Sequence, residues 1–264
     1  MNFLDAFLVA TFLFFLGSFL GWCIEVIFRR CFTAKKWINP GFLTGPYLPL
    51  YGFGTVGLFA ISKIPIHTGY GWLDALLVIL IMGAVMTLIE YIAGLIFIKG
   101  MKIKLWDYSN RWGNLQGIIC PLFSLFWVLV AAFYYFVIDP YVIDSIVWFV
   151  NHIEFAFVVG IFFGVFFVDF GHAINLSAKI RAFAKKHNTV IALEKLKAHV
   201  KDRTEKTEKK KVSFLFPLKT KKGLNDELEN YTQSEAEEET EAQSEPQAEE
   251  GVREEPNVKP ENEE

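Results

Sequence analysis

The stretch 72–98, WLDALLVILIMGAVMTLIEYIAGLIFI, decides the fold. A helix rises about 1.5 Å per residue, so about 20 mostly apolar residues cross the ~30 Å hydrocarbon layer of a membrane. This stretch is long enough, and its only charged residues are Asp74 and Glu90. It therefore predicts a transmembrane α-helix.

Four other apolar segments meet the same criterion, so the sequence predicts an all-α fold: a polytopic membrane helical bundle of about five transmembrane helices. The segment 47–62 is the weakest, because it is short and contains one proline and three glycines; a broken or partly re-entrant helix is the alternative. The first segment has no preceding Lys or Arg and is too long for a cleaved signal peptide, so we expect it to remain as an anchor. The predicted spans are 3–28, 47–62, 72–98, 117–138 and 146–170.

Basic residues in the loops orient this bundle, because Lys and Arg near the ends of spans stay on the cytoplasmic side. The loops 29–46 and 99–116 and the segment after residue 170 are rich in Lys and Arg, whereas the loops 63–71 and 139–145 contain only Lys63. We therefore expect the N-terminus outside and the C-terminus in the cytoplasm.

The chain changes character after residue 175, which ends the predicted transmembrane domain 1–175. In 176–225, apolar residues recur among many Lys and Arg, as in a basic amphipathic cytoplasmic helix lying on anionic lipid headgroups. Lipid is favoured over nucleic acid as the partner, because the membrane is adjacent. The apolar residues concerned are Ile180, Phe183, Val190, Ile191, Leu193, Leu196 and Val200.

The remaining segment 226–264 is strongly acidic. It contains sixteen acidic and two basic residues, although the whole chain carries a net charge of only −3. Such a segment cannot bury enough apolar area to fold, so we predict a disordered tail.

Two loops of the chain resemble each other and predict a parallel internal repeat. Placing GFLTGPYLPLY at 41–51 over GNLQGIICPLF at 113–123 aligns two glycines, two leucines and a proline. Each copy follows a span that contains a glutamate and a basic loop that contains a tryptophan. Chance similarity between two glycine-rich loops is the alternative. The repeat motif comprises Trp37, Gly41, Gly45 and Pro49 in one copy and Trp106, Gly113, Asn114, Gly117 and Pro121 in the other.

The glycines and prolines of this motif carry two structural expectations. Glycines four residues apart let helix backbones approach closely, so we expect helix packing at Gly41 and Gly45 and at Gly113 and Gly117. Prolines one turn inside a span bend the helix, which we expect in the spans that contain the two aligned prolines.

Acidic residues near the predicted cytoplasmic ends of three spans are the candidate functional groups. A charge inside a membrane costs several kcal/mol and usually faces a partner or a cavity. One interpretation is a polar vestibule open to the cytoplasm, in which Glu25, Glu90, Asp169 and His172 take up protons or cations. The structural alternatives are an ion pair between Glu25 and Arg29 and a helical pair of Asp169 with His172.

Four aromatic residues in the basic loops fit an interfacial belt, in which amphipathic rings lie at the level of the lipid headgroups. A ligand-stacking role is the alternative. These residues are Trp37, Trp106, Tyr108 and Trp112.

Several ordered motifs between about residues 16 and 127 are shared with a known family. The motifs are GW at 21–22, Glu25, NPGFLTGP at 39–46, YGFG at 51–54, EY at 90–91, WDYS at 106–109 and NLQG at 114–117. Together they resemble the bacterial family described as putative ABC-transporter type IV, or CmpB-like. The resemblance implies a multi-pass protein of the bacterial plasma membrane and supplies no established catalytic residues.

Other motifs limit the possible functions. The sequence has no GxxxxGK[ST] phosphate-binding loop and no GxSxG or HExxH motif, so we predict neither ATP binding, a cofactor nor enzymatic activity. Its three cysteines lack the spacing of a metal site. The leading hypothesis is a transporter permease component that pairs with a separate ATPase subunit. The alternatives are a non-transporting scaffold or regulatory protein that recruits cytoplasmic partners and, less favoured, an intramembrane enzyme.

Overall fold

A computed structural model describes residues 3–33, 37–208, 214, 218 and 223–249. They are mostly helical, and four helical segments are long and apolar enough to cross a membrane: Phe3–Cys31, Gly71–Met101, Pro121–Asn151 and Ile153–Lys186. The α-helices are α1 (Phe3–Phe28), α2 (Pro49–Ser62), α3 (Gly71–Gly94), α4 (Pro121–Phe133), α5 (Asp139–Asn151), α6 (Ala156–Lys186), α7 (Leu193–Glu208) and α8 (Leu224–Glu249). The π-helical segments Arg29–Thr33, Leu95–Met101 and Tyr134–Ile138 continue α1, α3 and α4, a 3-10 turn covers Ile153–Phe155, and the strands are β1 (Ile103–Lys104) and β2 (Ile191–Ala192).

The predicted span 47–62 is not a long helix. The segment 47–62 forms α2, which has 14 residues and extends over about 21 Å, less than the hydrocarbon layer. The structure has four candidate spans and one shorter apolar helix, so the expected count of five spans is not confirmed.

Small residues allow α1 and α2 to pack at close range. A Cβ atom built at Gly17 would lie 2.2 Å from Thr55 Oγ1, and one built at Gly21 would lie 2.4 Å from Tyr51 Cβ. In the same way, a Cβ atom built at Gly83 of α3 would lie 2.4 Å from Val128 of α4. Two antiparallel helix pairs, α1 with α2 and α3 with α4, thus form the centre of the bundle.

The glycines of the sequence motif do not pack helices, contrary to our expectation. They lie in the irregular loops that precede α2 and α4. Gly41, Gly113 and Gly117 have φ angles of 75°, 65° and 69°, a left-handed conformation that favours glycine. These residues therefore shape turns.

The expected helix bends at the two aligned prolines are also absent. Pro49 and Pro121 are the first residues of α2 and α4. An N–H group has no partner in the first helical turn, so proline begins a helix there without disrupting it.

Residues 139–145, which we expected to form a loop, are instead the first half of α5. The chain turns later, at His152. Pro140 lies in the first turn of α5 and follows the π-helical segment, and both features bend a helix.

The helix α5 lies across the end of the bundle rather than extending the span of α4. Asp139 accepts a hydrogen bond from Ser62 at the end of α2, at 2.8 Å. Ten residues later, Phe149 stacks on Phe12 of α1 with ring centroids 4.4 Å apart. If α5 continued straight on from α4, Phe149 would lie about 15 Å beyond Asp139. Instead, Asp139 contacts Ser62 and Phe149 contacts Phe12, and these two partners lie at the same end of the antiparallel α1–α2 pair. We call this the Ser62 end.

The three basic regions meet at the opposite end, which we call the Glu25 end. Strand β1 follows α3, and β2 follows α6; they pair in parallel, with Ile103 opposite Ile191. From α7, Lys197 donates hydrogen bonds to the backbone oxygens of Asn39 (3.1 Å) and Gly41 (2.8 Å).

Most of the apolar residues that we assigned to a lipid-bound helix are covered by protein. Ile191, Leu193, Leu196 and Val200 are buried, as are Ile180 and Phe183 on α6. The segment after residue 175 is therefore the end of α6, a short strand and α7. The basic stretch 209–222 lies outside the described residues, apart from Phe214 and Leu218.

The unit Thr220–Glu264 contains α8, so the predicted disorder of 226–249 is not confirmed. The segment is rich in Glu, Ala and Gln, which have high helix propensity whatever their burial. Residues 250–264 of the predicted tail lie outside the described residues.

Candidate functional site

Glu90 is a buried carboxylate in the last turns of α3, with 5% of its surface exposed. Its Oε1 atom accepts a hydrogen bond from the hydroxyl of Tyr108 (3.1 Å), and Oε2 accepts one from the indole N–H of Trp127 (2.8 Å). Both donors are uncharged. None of the ion pairs within the described residues includes Glu90.

Tyr108 connects this carboxylate to the loop between α3 and α4. Its ring stacks on Phe123 with centroids 4.3 Å apart, and its backbone N–H donates to the oxygen of Gly117 at 2.8 Å. Burial, and then the negative charge of Glu90, raise the pKa of the Tyr108 hydroxyl. Tyr108 therefore stays a hydrogen-bond donor.

Glu25, on α1, differs from Glu90 because it has a basic partner. Its Oε1 atom accepts a hydrogen bond from Arg29 Nε at 2.8 Å, so the predicted i, i+4 ion pair is present. Its Oε2 atom accepts one from the hydroxyl of Tyr51 on α2, at 2.7 Å. Arg29 forms a second ion pair, with Glu194 of α7.

Both glutamates lie toward the Glu25 end of the bundle, near the ends of α1 and α3. Tyr108 is close enough to both for the charge of Glu25 to add to the rise in the pKa of its hydroxyl. Each carboxylate accepts a hydrogen bond from a tyrosine, Tyr51 for Glu25 and Tyr108 for Glu90. We call these four residues the paired-carboxylate site.

Asp169 of α6 binds the loop before α2. Its Oδ2 atom accepts hydrogen bonds from the backbone N–H groups of Thr44 (2.9 Å) and Gly45 (2.8 Å) and from the hydroxyl of Tyr47 (2.7 Å). Burial, and then the hydrogen bond to Asp169, raise the pKa of the Tyr47 hydroxyl. Asp169 therefore fixes the loop before α2.

His172, the fourth candidate, is exposed on α6. Asp169 uses its carboxylate for the loop before α2, as its three hydrogen bonds indicate. The structure thus brings Glu25 and Glu90 together but gives Asp169 and His172 different surroundings.

The four aromatic residues assigned to an interfacial belt differ in exposure. Trp112 is 87% exposed and Trp37 is 53% exposed, as such a belt requires. Trp106 instead donates its indole N–H to the oxygen of Ile118 at 2.9 Å, and Tyr108 donates to Glu90. The last two therefore hold the loop between α3 and α4.

Several residues of the site carried no recognisable signal in the sequence. Tyr51 and Trp127 lie in apolar helices, where an aromatic residue usually serves packing. Lys197 is one of many lysines in a basic segment, yet it is buried. Within the described residues, no group of three His, Cys, Asp or Glu side chains could hold a metal ion.

Long apolar helices fit a membrane protein, and comparison with known families agrees. The family model of the putative ABC-transporter type IV proteins matches residues 12–174, so the chain belongs to that family. This confirms the family resemblance found in the sequence. No curated protein and no solved structure matches the chain.

Proposed function

We propose that the protein is the permease component of a transport system, with a separate subunit as the ATPase. The description of its family as ABC-transporter proteins supports this proposal. In this proposal the paired-carboxylate site accepts a proton or a cation at the cytoplasmic end of the bundle.

The surroundings of Glu90 are the observation that carries the proposal. A carboxylate in an apolar helix costs free energy unless its charge is compensated. Among the residues that the structure describes, the hydrogen-bond partners of Glu90 are the uncharged Tyr108 and Trp127, so a bound proton or cation would stabilise it. The charge of Glu25 is already compensated by Arg29. Glu90 is therefore the stronger candidate for binding a proton or a cation.

The proposed orientation places the Glu25 end in the cytoplasm of a bacterium, with the N-terminus outside. The contacts between the three basic regions support it, since residues that share one end of the bundle share one side of the membrane. Under this orientation, the exposed Lys and Arg side chains beyond α6 face anionic lipid headgroups.

We also propose that the α1–α2 and α3–α4 pairs are copies of one repeat. Three parallels support this proposal. Gly41 and Gly113 both have positive φ angles, and the aligned prolines both begin a helix. Glu25 and Glu90 both accept a hydrogen bond from the second helix of their pair, from Tyr51 of α2 and from Trp127 of α4.

The test is to purify the tagged full-length chain from its native membranes in mild detergent and to measure hydrolysis of Mg-ATP. We expect ATPase activity to co-purify with the chain. Proteoliposomes of this complex, loaded with a pH-sensitive dye, then report proton flux with and without ATP. We expect Glu90→Gln to lower the flux about tenfold or more, which corresponds to at least about 1.4 kcal/mol.

The matched control is Glu154→Gln, because Glu154 is exposed in the turn before α6. It removes the same charge and should leave the flux unchanged. Absence of both ATPase activity and flux from a folded, pure complex would contradict the permease proposal.

A scaffold that recruits cytoplasmic partners is the second candidate. The dense packing at Glu90 favours it, since both carboxylate oxygens are already hydrogen-bonded and little of the side chain is exposed. A scaffold role predicts that Glu90→Gln keeps full function and that deletion after residue 186 abolishes it. The permease proposal predicts the opposite for Glu90→Gln.

A further inference from the structure

The helix α7 is attached to the bundle by lysines that bind backbone oxygens. Lys197 is buried, with 6% of its surface exposed, and donates to Asn39 and Gly41. One turn later, Lys201 donates to the backbone oxygen of Trp37 at 3.1 Å. These contacts fasten α7 to the loop between α1 and α2.

The same helix is also attached to the α3–α4 pair. The strand β2, directly before α7, pairs with β1, which follows α3. Ile191 adds a hydrogen bond from its backbone N–H to the oxygen of Lys102 at 3.0 Å. Thus α7 joins the two helix pairs that carry Glu25 and Glu90.

Arg29 links α7 to the paired-carboxylate site directly. Its Nε atom donates to Glu25, and its Nη1 atom donates to Glu194 in the first turn of α7. The side chains of Glu25 and Arg29 are each 18% exposed, and that of Glu194 is 36% exposed. Arg29 and Glu194 line a small cleft together with Lys197.

We propose that Arg29 transmits the charge of Glu25 to α7, so that α7 binds the bundle more tightly when Glu25 is neutral. One positive charge is shared between two carboxylates that repel each other. When Glu25 is neutralised, the repulsion ends and Arg29 interacts fully with Glu194. A bound cation at Glu25 has the same direction of effect, because it repels Arg29 toward Glu194.

Lys197 is the other charged group in this cleft, and it limits the size of the effect. It repels Arg29 as the latter moves toward Glu194. The net change is therefore that of a partly exposed ion pair, which corresponds to about a two- to fivefold change in binding equilibrium.

Hydrogen exchange of the full chain in lipid nanodiscs, read by mass spectrometry, tests this inference. The peptides of interest cover α7, and those of α1 and α2 report whether the bundle itself is intact. For Glu25→Gln, which keeps an acceptor for Arg29, we expect α7 protection to rise about two- to fivefold. For Glu194→Gln, we expect it to fall by a similar factor.

The double variant Glu25→Gln, Glu194→Gln makes the test specific for Arg29. Without the charge of Glu194, Arg29 has no carboxylate on α7 to attract, so neutralising Glu25 as well should not raise the protection of α7 above that of Glu194→Gln alone. The matched control is Glu205→Gln, which removes an exposed charge from the same helix. It should leave the protection of α7 unchanged.

Three outcomes overturn the inference. They are an unchanged α7 in Glu25→Gln, an equal effect of that substitution with and without Glu194, and a loss of protection in α1 and α2 that accompanies any change in α7. The inference rests on the proposed function only in that Glu25 changes its charge during the working cycle. Because hydrogen exchange needs no transport, a failure of either idea is visible separately.

Discussion

The indole N–H of Trp127 donates a hydrogen bond to Glu90 Oε2 over 2.8 Å, joining α4 to α3 inside the apolar bundle. Tyr108 donates to the other oxygen, so each oxygen has one uncharged donor. An amide side chain at position 90 can keep both contacts, since a tyrosine hydroxyl also accepts a hydrogen bond. The charge of Glu90 can therefore be removed without loss of its partners.

This arrangement predicts losses of different size for two substitutions at the same contact. Trp127→Phe leaves a buried carboxylate oxygen without a donor, so we expect a loss of about 1–3 kcal/mol in the free energy of unfolding. Glu90→Gln should cost less, because its amide retains both hydrogen bonds. Thermal unfolding in one detergent compares the two variants. A larger loss for Glu90→Gln would show that the charge itself stabilises the fold.

A second prediction concerns Gly21, against which Tyr51 packs. A Cβ atom there would lie 2.4 Å from Tyr51 Cβ, so Gly21→Ala must separate α1 from α2 and displace the tyrosine that binds Glu25. We expect a loss of about 1–3 kcal/mol, the usual cost of overpacking. Gly160→Ala is the control, because no atom lies within 4 Å of its added Cβ. Equal thermal stability of the two variants would contradict this packing.

Long apolar runs were sufficient to predict the helices, because the length and polarity of a span are properties of one segment. The grouping of Glu25 and Glu90 followed from their position near the ends of such segments. Their partners were not predictable in this way. Tyr51 and Trp127 reach the carboxylates only through the packing of α1 on α2 and α3 on α4.

The errors have a common cause, which is that a local pattern has more than one structural use. Glycines four residues apart can pack helices, but Gly41 and Gly113 supply positive φ angles for turns. Amphipathic segments can lie on lipid, but the apolar face of α7 is covered by protein, as Leu196 shows with 0% exposure. Tertiary contacts decide between these uses.

The third prediction concerns Asp169, whose single oxygen Oδ2 holds the loop before α2. Asp169→Ala removes an acceptor that is bonded to two backbone N–H groups and the hydroxyl of Tyr47. We expect peptides over 41–47 to lose at least about tenfold in hydrogen-exchange protection, since hydrogen bonds to a charged group contribute about 1.5–3 kcal/mol. His172→Ala, on the same helix but exposed, should leave these peptides unchanged. Unchanged exchange in Asp169→Ala would show that contacts other than those with Asp169 fix this loop.

The last prediction is a pH dependence of α7, which follows from the burial of Lys197. Burial, and then the nearby charge of Arg29, lower the pKa of this lysine from 10.5 to about 8. Between these two values the released helix binds a proton that the docked helix lacks, so docking strengthens as the pH rises from about 8 to 10.5 and is constant below about 8. The other charged groups facing Lys197 are Glu194 and Asp169, and carboxylates ordinarily keep their charge in this range.

Protection factors of α7 peptides, corrected for the intrinsic effect of pH on exchange, measure this dependence. Lys185→Met removes an exposed lysine from α6 and should keep the wild-type profile. Lys197→Met should abolish the rise, because the titrating group is gone. Lys197→Met also removes the hydrogen bonds to Asn39 and Gly41. If this variant releases α7 at every pH, the wild-type profile by itself tests the prediction. A wild-type profile that is flat from pH 8 to 10, or that falls, contradicts the buried position of Lys197.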